Sequence, residues 1–244
     1  MNFYSPIRYS KLMRLSIKQG LLVLLFLGTA VFSVFSQAII TADRYLESVS
    51  ERYASIRDYE AQVIIRSGTT DMVGSLSYLD PFFLRIDFTR PSDQVLVFNG
   101  ELLTVYLPEY RAVLNQLVTP ARRPTAVGAS MASAQGLQLL RRGYVPTFAI
   151  GPDPVPLDER NQEPVVRLRL TRRLASEGFR EIILSISPET QLIRRIEGRT
   201  IADALVRFDF TNMRTNVGIP EQRFIYQSPP TANLYNNFLF RDAD

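Results

Sequence analysis

The chain has 244 residues, with 28 Lys and Arg against 24 Asp and Glu, and neither Cys nor His. That composition excludes thiolate nucleophiles, imidazole bases and Cys/His zinc sites, and Lys11 and Lys18, the only lysines, lie where a leader is expected, so Schiff-base chemistry is excluded from the mature protein as well. The charge excess is equally local: Arg8, Lys11, Arg14 and Lys18 precede position 38 with no acid among them, and the remainder is formally neutral, without the excess cation that nucleic-acid binding needs.

Taken in chain order, those four cations form a basic n-region, "GLLVLLFLGTAVFSVF" (20–35) an apolar h-region, and "SQA" (36–38) a cleavage site with small residues. The pattern is that of a secretory signal peptide over 1–38, cut near Ala38, leaving an exported domain at 39–244. The apolar run falls short of the ~20 residues a spanning helix needs, which disfavours a retained anchor. Without Cys the mature N-terminus has no lipidation site.

Residues 41–56 place Tyr45, Leu46, Val49, Tyr53 and Ile56 at helical spacing, with Thr41 or Asp43 as the cap. Strands are expected at 59–67, 74–79, 82–88, across 94–108 and at 111–117. Asn99-Gly100 between apolar runs predicts a hairpin with a type I′ turn. The Ala/Gln/Leu-rich stretch 127–142 predicts a helix ending at Gly143, and the five prolines of 145–164 predict an irregular connection. Further strands are expected at 165–172, 180–187, 191–200, 204–214 and 222–227, with a turn at 187–190.

Several of these strands pair an apolar face with a charged one: Phe82, Leu84, Ile86 and Phe88 oppose Arg85 and Asp87, and Val206, Phe208 and Phe210 oppose Arg207 and Asp209. Two short helices must cover the apolar side, which a strongly curved antiparallel sheet wrapped around them achieves while leaving an apolar cavity. The predicted class is therefore mainly β (α+β), with no internal repeat.

The stretch "GSLSYLDPFFLRIDFTRPSDQVLVFNGELLTVYLPE" (74–109) resembles the signature of the periplasmic lipoprotein carrier family LolA, through Gly74, Pro81, Phe83, Asp87, Pro91, Gln94, Val97, Asn99, Gly100, Tyr106 and Pro108 in order. The ending "FIYQSPPTANLY" (224–235) and the helix running into "IRDYEAQV" (56–63) are similar to that family too. The resemblance implies an incomplete barrel covered by the N-terminal helix and a mid-chain helical lid, with no cofactor and no covalent chemistry. It implies a periplasmic monomer that takes acylated lipoproteins from an inner-membrane release transporter to an outer-membrane acceptor. Regulatory or lipid-sensing domains and carriers of free lipid or glycolipid share that half-barrel and stand as alternatives.

On this reading the acyl-chain cavity is lined by Leu76, Tyr78, Phe82, Leu84, Ile86, Phe88, Val95, Val97, Leu103, Val105, Ile182, Leu184, Val206 and Phe208. Where the family carries an Arg before the first proline, as a latch between barrel and lid, this chain has Asp80. A reversed latch is expected, with Asp80 meeting a lid arginine (Arg122, Arg123, Arg141 or Arg142) or with Arg85 serving instead. The Arg-Arg pairs at 172–173 and 194–195 fall in strands, where neighbouring side chains diverge, so each predicts solvated surface. Glu101, Asp203 and Asp209 read as isolated surface acids with no catalytic grouping.

Overall fold

The first helix forms where its apolar period and its cap agree. In α1 (Ala42–Ala54) the Thr41 side chain accepts a hydrogen bond from the Arg44 N–H at 3.2 Å, while Asp43 in the first turn and Arg52 in the last complement the helix dipole. Leu46, Val49 and Tyr53 form its buried face. These details come from a computed structural model that describes Met1 and residues 40–118 and 132–238. The expected signal segment, Arg122, Arg123 and the first part of the expected lid lie outside the described residues.

The next six strands are a meander: β1 (Asp58–Ser67), β2 (Thr70–Leu79), β3 (Phe83–Arg90), β4 (Val95–Phe98), β5 (Leu102–Leu107) and β6 (Ala112–Leu117). The second helix, α2 (Ala134–Gly143), leads into β7 (Tyr144–Phe148), β8 (Val155–Pro156), β9 (Pro164–Arg172), β10 (Phe179–Ile186), β11 (Ile193–Thr200) and β12 (Leu205–Thr215). A final strand, β13 (Asn233–Asn236), pairs with β6 in parallel, while the other pairings are antiparallel. The order across the sheet is β13-β6-β5-β4-β3-β2-β1-β12-β11-β10-β9-β7, with β8 on β9, so the two halves of the chain join through β1 and β12. The sheet is curved and open, with β7 and β13 at its two ends, as an incomplete barrel requires. Both helices pack on its inner face, where one core gathers Leu46 and Val49 of α1, Leu137 and Leu140 of α2, and the inward side chains of β1–β3 and β9–β12.

At two points local register departs from simple alternation. Gly74 sits at an irregularity between β2 and β3, where an added Cβ would lie 2.7 Å from the Asp87 carbonyl oxygen, so only glycine lets the strands approach this closely. In β11, Ser185 pairs with Arg195 but Ile186 with Ile193, which makes Arg194 the extra residue of a bulge. The bulge turns Arg194 and Arg195 toward one groove, correcting the divergence expected from strict period two.

Three further expectations change. The β4–β5 hairpin forms, but its closing pair is Asn99 and Leu102, and positive φ (+92°) falls on Gly100 at the first central position, the pattern of a type II′ turn. The cause is the Asn99 carboxamide, whose oxygen accepts from the N–H groups of Glu101 (3.1 Å) and Leu102 (2.8 Å). Residues 222–227 contain no strand: Glu221–Phe224 is a 3-10 turn, and the strand comes later, as β13. The Pro-rich connection holds β7 and β8, each with a proline at the sheet margin.

Candidate functional site

The inner face beneath α2 is built from alternate residues of facing strands. Leu76, Tyr78, Leu84, Ile86, Phe88, Leu103, Ile182 and Leu184 are buried in its single core cluster, and Phe82, Val206 and Phe208 pack against it half-buried. Val105 is half-buried and pairs with Leu96, which packs against the same cluster. Val95 and Val97 do not join them. They pack on the opposite face with Leu79, Phe83 and Phe224.

The reason lies in "VLVF", which is apolar on both sides and leaves the inward set undetermined. Register decides: Leu84 pairs with Phe98 and Ile86 with Leu96, so the even-numbered residues face in. The signal was available, because a short hairpin sets Leu103 opposite an even-numbered residue of β4, and it is Phe98. Inward residues that sequence reasoning missed include Tyr59, Val63, Leu168, Leu170 and Phe98.

One edge of this face is fastened to α2 by polar groups. Asp80, exposed at the end of β2, accepts a hydrogen bond from Gln135 Nε2 at 2.9 Å. The other end of that carboxamide, Oε1, lies 3.2 Å from the Tyr78 hydroxyl, which is also 3.1 Å from the Pro81 carbonyl oxygen. Tyr59 stacks on Tyr78 with ring centroids 5.1 Å apart and donates to the Ala132 carbonyl at 2.9 Å. Ser133 caps α2 by accepting from the Gly136 N–H at 3.0 Å. Burial pushes both phenol pKa values well up, and the Asp80 carboxylate adds to the rise at Tyr78, so both tyrosines stay neutral.

Among the described residues, Asp80 thus meets the helix through a glutamine and not an arginine. Arg141 pairs instead with Glu47 of α1 at 3.2 Å, joining the two helices. Arg85 is the larger correction. It points to the outer face, where it chelates Asp87 at 2.8–3.0 Å and donates to the Arg223 carbonyl at 3.0 Å. Arg223 pairs with Asp87 in turn. These contacts fasten a C-terminal strap across β3 and β4, with Phe224 and Tyr226 laid on Phe83, Val95 and Tyr106.

Among the described residues no three acids come together as a metal site. Asp209 is not a surface acid: it is buried, bound by Arg66 at 2.5 Å and by Arg195.

No protein-family model matches the sequence, and no curated protein matches it. Among solved structures, an uncharacterized conserved protein from Thermus thermophilus is similar at TM-score 0.50 and 12% identity, covering 78% of this chain and 98% of that one. MucB is similar at TM-score 0.50 and 13% identity, covering 77% of this chain and 63% of MucB. A LolA superfamily protein from Nitrosomonas europaea aligns at TM-score 0.39 and 13% identity over 77% of this chain and 98% of its own. The chain therefore shares its fold with the Thermus thermophilus protein and with the matched part of MucB.

Proposed function

We propose that the protein is a periplasmic carrier that holds the acyl chains of a lipoprotein between the inner face of the half-barrel and α2. The observation that carries this reading is a broad apolar sheet face whose roof is fastened at the N-terminal turn of α2 by a few polar contacts. Releasing those contacts lifts Leu137 and Leu140 from the sheet, and an acyl chain then takes their place against Leu84, Ile86 and Phe88. Each methylene transferred from water contributes about 0.8 kcal/mol, so the cargo supplies its own affinity and no covalent step is needed. On this reading the donor is an inner-membrane release transporter and the acceptor lies in the outer membrane, as the family resemblance implies.

Native mass spectrometry of the exported protein, followed by extraction of what it holds, tests the proposal. Co-purifying acylated protein is the expected result. Free phospholipid or glycolipid alone would make the protein a lipid carrier. An interior that takes up no acyl probe would falsify carriage altogether and leave a regulatory half-barrel.

A further inference from the structure

The outer face of the sheet carries a groove of about 630 Å³, where β1, β11 and β12 meet the segment 157–163. At its floor Asp209 has both carboxylate oxygens occupied, by Arg195 Nε and by Arg66 Nη1. Its wall is pinned to the sheet by Asp158, which accepts from Arg195 Nη2 at 2.8 Å, and by Glu163, which accepts from Arg194 Nε at 2.5 Å.

Three of the groove's four acids, Asp158, Glu163 and Asp209, are already engaged, while its guanidinium groups are not exhausted. A guanidinium carries five N–H donors in a planar fork. Arg207 spends Nε and Nη2 on a single oxygen of Glu197, at 3.0 and 2.8 Å, and Arg194 makes its ion pair through Nε alone. The Arg160 guanidinium meets no partner among the described residues. Five arginines line the groove against four carboxylates, with Glu197 and Asp71 answering Arg207 and Arg66 from outside it, so it is the unused N–H donors that leave room for an anion with several acceptor oxygens. The volume exceeds that of a bare phosphate and lies within the roughly 300–1,000 Å³ of small-molecule sites.

We infer that this groove is a second ligand site, distinct from the inner face, and that it binds a phosphate ester carried on a polar body the size of a lipid headgroup. Arg160, Arg194 and Arg207 are its contact residues, and the Arg66–Asp209–Arg195 group, with Asp209 and Arg195 buried, is the floor that holds them apart.

Isothermal titration of the exported protein with glycerol 3-phosphate, and with glycerol as the uncharged control, tests the inference. Saturable binding of the ester alone is expected, weakening as salt is raised. The double variant Arg160→Gln/Arg207→Gln is expected to bind at least about tenfold more weakly, the loss of one or two charge-assisted hydrogen bonds. The single variant Arg160→Gln, in an exposed loop, gives a fold-neutral check of the same trend, and Arg142→Gln is expected to bind as the parent does. Absence of saturable binding, or equal affinity in the double variant, overturns the site. Sedimentation with phosphatidylglycerol and phosphatidylcholine vesicles separates the sources: retention on the anionic vesicles alone, lost in the double variant, assigns a membrane headgroup, and binding of the free ester without retention assigns a soluble phosphate ester.

Discussion

Asp209 shows what single residues conceal. In sequence it is one acid among many on a charged strand face, yet it is buried and bridges the half-buried Arg66 and the buried Arg195. Its arginine partners are 143 and 14 positions away, and no local pattern announces either. Asp209→Ala removes one of the two carboxylates that meet the Arg195 guanidinium, whose side chain is 9% accessible, and leaves only Asp158, so urea unfolding is expected to show a loss of about 2 kcal/mol. Replacing the pair by Leu and Met of similar volume is expected to cost less, because no buried charge is then left unmatched. Asp158 gives a pH signature. The Arg195 hydrogen bond, followed by the backbone N–H groups of Asn161 and Arg160, holds its carboxyl at about 2, below the ordinary 3.8. A carboxyl depressed by folding adds stability above its unfolded pKa and loses it as pH falls through the folded value. Urea midpoints of Asp158→Asn are therefore expected to lie below those of the parent at pH 5, with the gap closing between about pH 4 and pH 2.

At the scale of elements, periodicity located most strands and both helices, and it failed where a run was apolar on both sides or where a turn competed. The inward side of β4 needed the register of the hairpin, and the strand expected at 222–227 gave way to a strap held by Arg85 and Asp87. The contact at Asp80 was legible as a position because an Asp stands before a proline where the resembling family has an Arg. Its partner was not, since a glutamine carries no charge to match. Asp80→Ala and Gln135→Ala are expected to raise amide exchange across α2, and a double-mutant cycle is expected to return a coupling of about 0.5–1 kcal/mol, modest because the contact is exposed. The strap is expected to depend on its aromatic anchor. Phe224 is 1% accessible, and Phe224→Ala is expected to cost about 3–4 kcal/mol in urea unfolding while leaving the order of the sheet unchanged in its circular dichroism.

For the whole molecule, the curved open sheet followed from a simple conflict: too many apolar strand faces for two short helices to cover if the sheet lay flat. Which residues would meet a ligand was less legible, because a core and a cargo wall use the same side chains. Linkage separates the two roles. An acyl ligand present at about 100 times its dissociation constant is expected to stabilise the fold by about 2.7 kcal/mol, read as a rise in melting temperature that a deacylated analogue does not give. The strap has a further consequence. Strand β3 has the main core on its inner side and the strap on its outer side, near the middle of the sheet and far from both open margins. A protease or a pulling force applied at β7 or β13 would peel the sheet inward and reach β3 late. That strand is held from both faces, so the sheet is expected to lose its rims before it loses its middle.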